Sequence, residues 1–77
     1  MICKQNKILI SQTDISQLTN EILPYYPSLE NLIVQSFASP ISKKTILQIA
    51  EKCTNLKSLQ LGLYKANKRT FEQLKYT

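Results

Sequence analysis

A chain of 77 residues that is 43% hydrophobic, with no Trp and one Gly, has room for one small folded domain and is neither a flexible linker nor a collagen-like chain. It contains no His, which removes the usual general base at neutral pH and the commonest metal ligand. Its two cysteines, Cys3 and Cys53, are too few for a four-ligand zinc site or a secreted disulfide framework.

The net charge of +5 is uneven. Residues 1–39 set Lys4 and Lys7 against Asp14, Glu21 and Glu30, a net of −1, whereas residues 40–77 set eight basic residues against Glu51 and Glu72, a net of +6. Such asymmetry suits either a solvated helix face with a polar loop or contact with nucleic acid or a membrane. The basic residues are lysines apart from Arg69, and aromatic rings are not interleaved with them, so base-specific readout has little support.

In chain order, the opening MICKQNKILIS has an apolar run of only Ile8 to Ile10. A signal peptide needs roughly seven or more such residues, and no stretch approaches the ~18 of a membrane span. The expected setting is therefore soluble and intracellular, in cytoplasm or nucleus. Ile8 and Ile10 alternate as strand residues do. "DISQLTNEIL" (14–23) spaces Ile15, Leu18 and Ile22 along one helical stripe with Asp14 as N-cap, and Pro24 and Pro27 are expected to stop that helix. Leu32 and Val34 alternate again. "ISKKTILQIAEKC" (41–53) places Ile46, Ile49, Ala50 and Cys53 on a second stripe, capped by Ser42. Leu59 and Leu61 form a third alternating pair. "KANKR" (65–69) reads as a solvated loop approaching a third helix. That helix opens with Thr70-x-x-Gln73 as a capping-box pattern, carries Phe71 and Leu74, and reaches Tyr76-Thr77 without a stop.

These segments repeat. "PSLENLIV" (27–34) aligns with "TNLKSLQL" (54–61), pairing Leu29 with Leu56, Leu32 with Leu59 and Val34 with Leu61, each 27 apart; Ile8 and Ile10 lie 24 before Leu32 and Val34. Periods of 24 and 27 fall in the roughly 20–29-residue range of leucine-rich repeats. Strands alternating with helices imply parallel pairing. Ile41-Ser42, Ile46, Ile49-Ala50, Cys53, Leu56, Leu59 and Leu61 resemble the cysteine-containing leucine-rich repeat of F-box/leucine-rich proteins. Tyr26 stands where Cys53 stands one unit later, and Pro27 keeps the family's proline. Where the family has Cys or Asn three residues after the last strand position, this chain has Thr13, Phe37 and Tyr64, so aromatic packing is expected in place of a polar ladder.

The resemblance implies an α/β fold: a leucine-rich-repeat solenoid fragment of three short parallel strands alternating with three helices. It would be a single module over 1–77 with units at about 5–28, 29–55 and 56–77. No F-box segment is read in the chain, and with no fourth unit after Leu61 the last strand edge should be open.

Catalytic candidates are weak. Without His there is no Ser–His or Cys–His set, the five carboxylates are scattered, and Gly62 alone makes no phosphate loop. Cys53 reads as a small buried hydrophobe and Cys3 as a terminal thiol. Tyr25-Tyr26 suits either a partner anchor or packing at the helix-to-strand turn. The strand residues between the core positions form three rows: Lys7, Asn31, Ser58; then Leu9, Ile33, Gln60; then Ser11, Gln35, Gly62. On a concave face these make an aliphatic centre with amide and hydroxyl flanks, the chemistry of a small protein-binding strip. The chain is read as a non-enzymatic interaction module with no cofactor, no metal, no small-molecule substrate and no membrane contact. By the resemblance it is the substrate-recognition part of an F-box-type ubiquitin-ligase receptor; the alternative is a small basic nucleic-acid-binding protein.

Overall fold

The structure, a computed structural model, describes residues 6–76. Cys3, Lys4 and Gln5, which figured in the sequence reading, lie outside the described residues, as does Thr77.

Strand β1 (Lys7–Thr13) leads into a helical run of three pieces: an α-turn α1 (Ile15–Gln17), a π-turn (Leu18–Ile22) and a 3-10 turn (Leu23–Tyr25). Strand β2 (Asn31–Phe37), helix α2 (Lys43–Lys52), strands β3 (Ser58–Leu61) and β4 (Tyr64–Asn67), and helix α3 (Lys68–Lys75) follow. The four strands form one sheet in the order β1-β2-β3-β4.

The first two pairings are parallel, and their register is the sequence repeat. Ile8 lies beside Leu32 and Leu32 beside Leu59; Ile10, Val34 and Leu61 form the next rung. Side chains alternate across a strand, so this register turns one aliphatic set inward. Ile8, Leu32, Val34, Leu59 and Leu61 join Leu18, Leu23, Leu29, Ile46, Ile49, Cys53, Leu56 and Phe71 in a single core between the sheet and its helices. The alternation slips at Ser11–Gln12 and Gln35–Ser36, where both residues of each pair are exposed. Beyond the slip Thr13 turns inward to 3% exposure, and Phe37 packs half-buried against the core. Tyr64 packs there too, so two of the three ladder positions are filled by aromatic rings.

The described residues form a small α/β unit with a mixed four-stranded sheet rather than a clear solenoid, which corrects the expected solenoid of three parallel strands. β4 runs antiparallel to β3, pairing Leu61 with Tyr64 and Leu59 with Ala66. The two-residue link is Gly62-Leu63, with a positive φ of 61° at Gly62 and at no other described residue. Positive φ at only the first central position is the signature of a type II′ hairpin turn, whose twist matches that of the flanking strands. The expectation of an open edge beyond Leu61 therefore fails: Tyr64–Asn67, which overlaps the expected loop over 65–69, pairs with that edge.

Local chemistry sets the helix starts. Asp14 Oδ1 accepts from the Gln17 N–H at 2.7 Å, and Ser42 Oγ from the Thr45 N–H at 3.3 Å, as the spacing predicted. α3 differs. Its N-cap is Asn67, not Thr70: Asn67 Oδ1 accepts from the Thr70 N–H at 3.0 Å, and Thr70 Oγ1 accepts from the Asn67 N–H at 3.3 Å. β4 delivers Asn67 in extended geometry, φ −131° and ψ −178°, which is what a cap residue requires, so the helix starts earlier than Thr70. It closes at Lys75, with the Tyr76 N–H donating to the Gln73 carbonyl, rather than running on past Tyr76.

The first helical run also departs from expectation. In an α-helix Leu23 would sit about 140° around the axis from Leu18. The wider π-turn, closed by the Leu23 N–H to the Leu18 carbonyl, brings both to 0% exposure. Pro24 does not stop the run. It falls in the first turn of the 3-10 piece, where its missing N–H costs nothing, and the chain leaves the helix after Tyr25.

Candidate functional site

The sheet face turned away from the helices carries the predicted strip. Parallel pairing places Lys7, Asn31 and Ser58 side by side, then Leu9, Ile33 and Gln60. Ser11 and Gln35 continue the face and are exposed. Gly62 is not on a strand; it forms the hairpin turn, and its N–H donates to the Val34 carbonyl at 2.8 Å. Leu9 is 63% exposed, a large apolar side chain held in solvent by the alternation that turns Ile8 and Ile10 toward the core. Ile33, expected to face solvent freely, is half-buried between its row neighbours Leu9 and Gln60. Asn31, Ser58 and Gln60 are half-buried as well. Gln60 is partly committed, since its Nε2 donates to the Gly62 carbonyl at 3.2 Å.

β4 extends the strip by a column that the sequence reading missed. Asn67 sits beside Ser58, and Lys65 beside Gln60. Lys65 is exposed, whereas the amide of Asn67 is already used in the cap of α3. The central row thus runs Leu9, Ile33, Gln60, Lys65, apolar at the β1 end and cationic at the β4 end. The signal that could have revealed it was Gly62-Leu63 between the alternating pairs Leu59/Leu61 and Tyr64/Ala66, a two-residue hairpin spacing. Just before the strands, Lys57 Nζ and Glu30 Oε1 pair at 2.9 Å, an exposed contact that contributes little to stability.

The opposite side of the molecule has a groove of about 490 Å³ between α2 and α3. Its floor includes Leu47, Ala50, Cys53 and Phe71, and its rim carries both signs of charge in Glu51, Lys68, Glu72 and Lys75. Burial pushes the Cys53 thiol up to about 11, so at neutral pH it is protonated and a poor nucleophile. Among the described residues no three His, Cys, Asp or Glu side chains converge. Of the two tyrosines, Tyr26 packs against the core and Tyr25 is 60% exposed. No helix among the described residues is long and apolar enough to cross a membrane.

No family model, no curated protein and no solved structure matches the chain.

Proposed function

We propose that this chain is a protein-interaction module built from leucine-rich-repeat-type units, and that its helix-free sheet face is the contact surface. The observation that carries this reading is the pair Leu9 and Ile33, an aliphatic centre on a face that no helix among the described residues covers, bordered by Asn31, Gln35, Ser58 and Gln60. A few desolvated apolar groups supply most interface energy, and a ring of amides and hydroxyls supplies orientation. Support for repeat units comes from the equivalence of Ile8, Leu32 and Leu59 at offsets of 24 and 27 residues, together with the resemblance of 41–61 to the cysteine-containing repeat. On that resemblance, the class of partner is a protein substrate presented to a ubiquitin ligase, and the chain itself performs no catalysis.

The test compares two surfaces. A protein captured by the immobilised chain from its native extract should be lost on Ile33→Asp, provided circular dichroism shows that the variant is folded. Capture should survive Lys43→Ala/Lys44→Ala on α2, and should persist in high salt, because apolar contacts are not screened. Loss of capture with the lysine pair, or its steep decline with salt, would transfer the function to the basic surface and to nucleic acid.

A further inference from the structure

The two edges of the sheet are unlike. At the β4 edge the strand has four residues, carries Lys65, and runs directly into Lys68 and Arg69, all of them exposed. Short length and exposed positive charge are the devices by which proteins protect a strand edge from pairing. At the β1 edge the strand has seven residues and is apolar at its centre, with one lysine at its start. Beside it lies a shallow recess bordered by Ile8, Ile10, Ile22 and Tyr26. In the next unit the residues equivalent to Ile8 and Ile10, Leu32 and Val34, are 0% exposed because a strand flanks them on each side; Ile8 is at 9% and Ile10 is half-buried.

We propose that β1 is a dimerisation edge, and that its occupant is β1 of a second copy of this chain, running antiparallel about a two-fold axis at Leu9. The backbone direction supports this pairing. The Asn6 carbonyl accepts from the Asn31 N–H at 2.9 Å, so alternation along β1 turns the N–H and C=O of Ile8 and Ile10 toward β2. Those of Lys7, Leu9 and Ser11 point away from the sheet. An axis at Leu9 sets Leu9 opposite its own copy and Lys7 opposite Ser11 of the second copy, as hydrogen-bonded pairs. Between them Ile8 falls opposite Ile10 of the second copy, on the helix side, where each covers the other's recess. An axis at Ile10 would instead set Ile8 against Gln12 and Leu9 against Ser11, wasting the apolar match.

Charge favours the same edge. Each chain carries +5, concentrated after residue 39, while the first 39 residues have a net of −1. Contact through β1 therefore joins the near-neutral halves and keeps the basic halves apart. A head-to-tail contact from β4 to β1 would bring Lys65 and its neighbours to the interface and would not close. The two-fold axis stands normal to the sheet, so both sheet faces point the same way, and the two Leu9–Ile33 pairs merge into one longer apolar strip.

Sedimentation equilibrium over a concentration series tests it. The wild type should pass from 8.9 kDa to twice that mass as concentration rises, and no further. Ser11→Pro deletes an N–H that points away from β2, and Leu9→Lys places like charges opposite each other at the axis; both should remain monomeric with cooperative melting. Ile33→Asp, on the strip and off the edge, should still dimerise. If Ser11→Pro does not fold, Leu9→Lys decides, since that side chain is exposed. A wild type that is monomeric throughout, one that assembles beyond the dimer, or a dimer unaffected by Leu9→Lys would overturn the proposal. The first result would leave the β1 edge to a strand from a different chain.

Discussion

The thiol of Cys53 donates to the backbone carbonyl of Tyr26 at 3.6 Å, across 27 residues. That is the same offset that sets Leu32 beside Leu59. Tyr26 and Cys53 each follow a helical segment, and this bond ties the end of the second segment to the end of the first. Cys53 is 1% exposed, and its own N–H closes α2 on the Ile49 carbonyl at 3.1 Å.

Burial of this thiol has a chemical and a thermodynamic consequence. In a Cys3→Ser background, Cys53 should resist a disulfide-exchange reagent at neutral pH and react only as fast as the chain opens; urea should accelerate labelling sharply. Because the folded pKa is raised from 9.0 to about 11, the folded state holds the thiol proton more tightly than the unfolded state does. Its contribution is therefore complete below pH 9 and is lost as pH rises toward about 11. Denaturant titrations across that window should show wild type losing more stability than Cys53→Ala. Equal pH dependence in the two proteins would show that the thiolate forms without penalty.

Leu59 is 1% exposed at the middle of its rung, between Leu32 and Ala66. Leu59→Ala should cost about 2–5 kcal/mol, the range for truncating a buried leucine. Ile8→Ala should cost less, because among the described residues Ile8 has a strand neighbour on one side only. Urea melts monitored by circular dichroism measure both, and an Ile8 cost equal to that of Leu59 would mean the β1 side is as closely packed as the centre.

Gly62→Ala isolates backbone strain. The added Cβ meets nothing nearer than the Gln35 carbonyl oxygen at 3.9 Å, so there is room for it. The φ of 61° is the difficulty, and left-handed geometry costs a residue bearing a Cβ about 1–2 kcal/mol. Gly62→Asn should cost less, since Asn tolerates that region. Thermal melts of the three proteins should rank Gly, Asn, Ala in falling stability.

The cap of α3 is reciprocal, which makes it suited to a double-mutant cycle. Asn67→Ala should destabilise by about 0.5–2 kcal/mol, the usual cost of losing an N-cap side chain. Thr70→Ala should cost less alone. The double variant should cost less than the sum, because each side chain bonds the other residue's N–H and the two residues act as a unit. Strict additivity would mean the two bonds are independent.

The spacing of aliphatic residues determined by itself how the first three strands pair. A strand has a period of two, so burial fixes which residues face the core, and the matched spacing of Leu29, Leu32 and Val34 with Leu56, Leu59 and Leu61 sets which of them pair. Asp14 and Ser42 were equally legible, since a cap bonds an N–H three residues on and needs nothing distant. From the same alternation came the rows Lys7–Asn31–Ser58 and Leu9–Ile33–Gln60 of the candidate face. Tertiary structure decided what those local signals left open. "YKAN" is too polar to insist on being a strand; it becomes β4 because the edge of β3 presents unpaired N–H and C=O groups and Gly62 can turn the chain back onto them. That pairing in turn moved the cap of α3 to Asn67 and added Lys65 to the face. The π-turn over Leu18–Ile22 was also beyond the sequence pattern, because it exists to bury Leu18 and Leu23 together, and that demand arises only once a core is there to receive both. The half-burial of Ile33 and the openness of β1 have the same origin: each depends on what lies one strand over, a distance that no local spacing encodes.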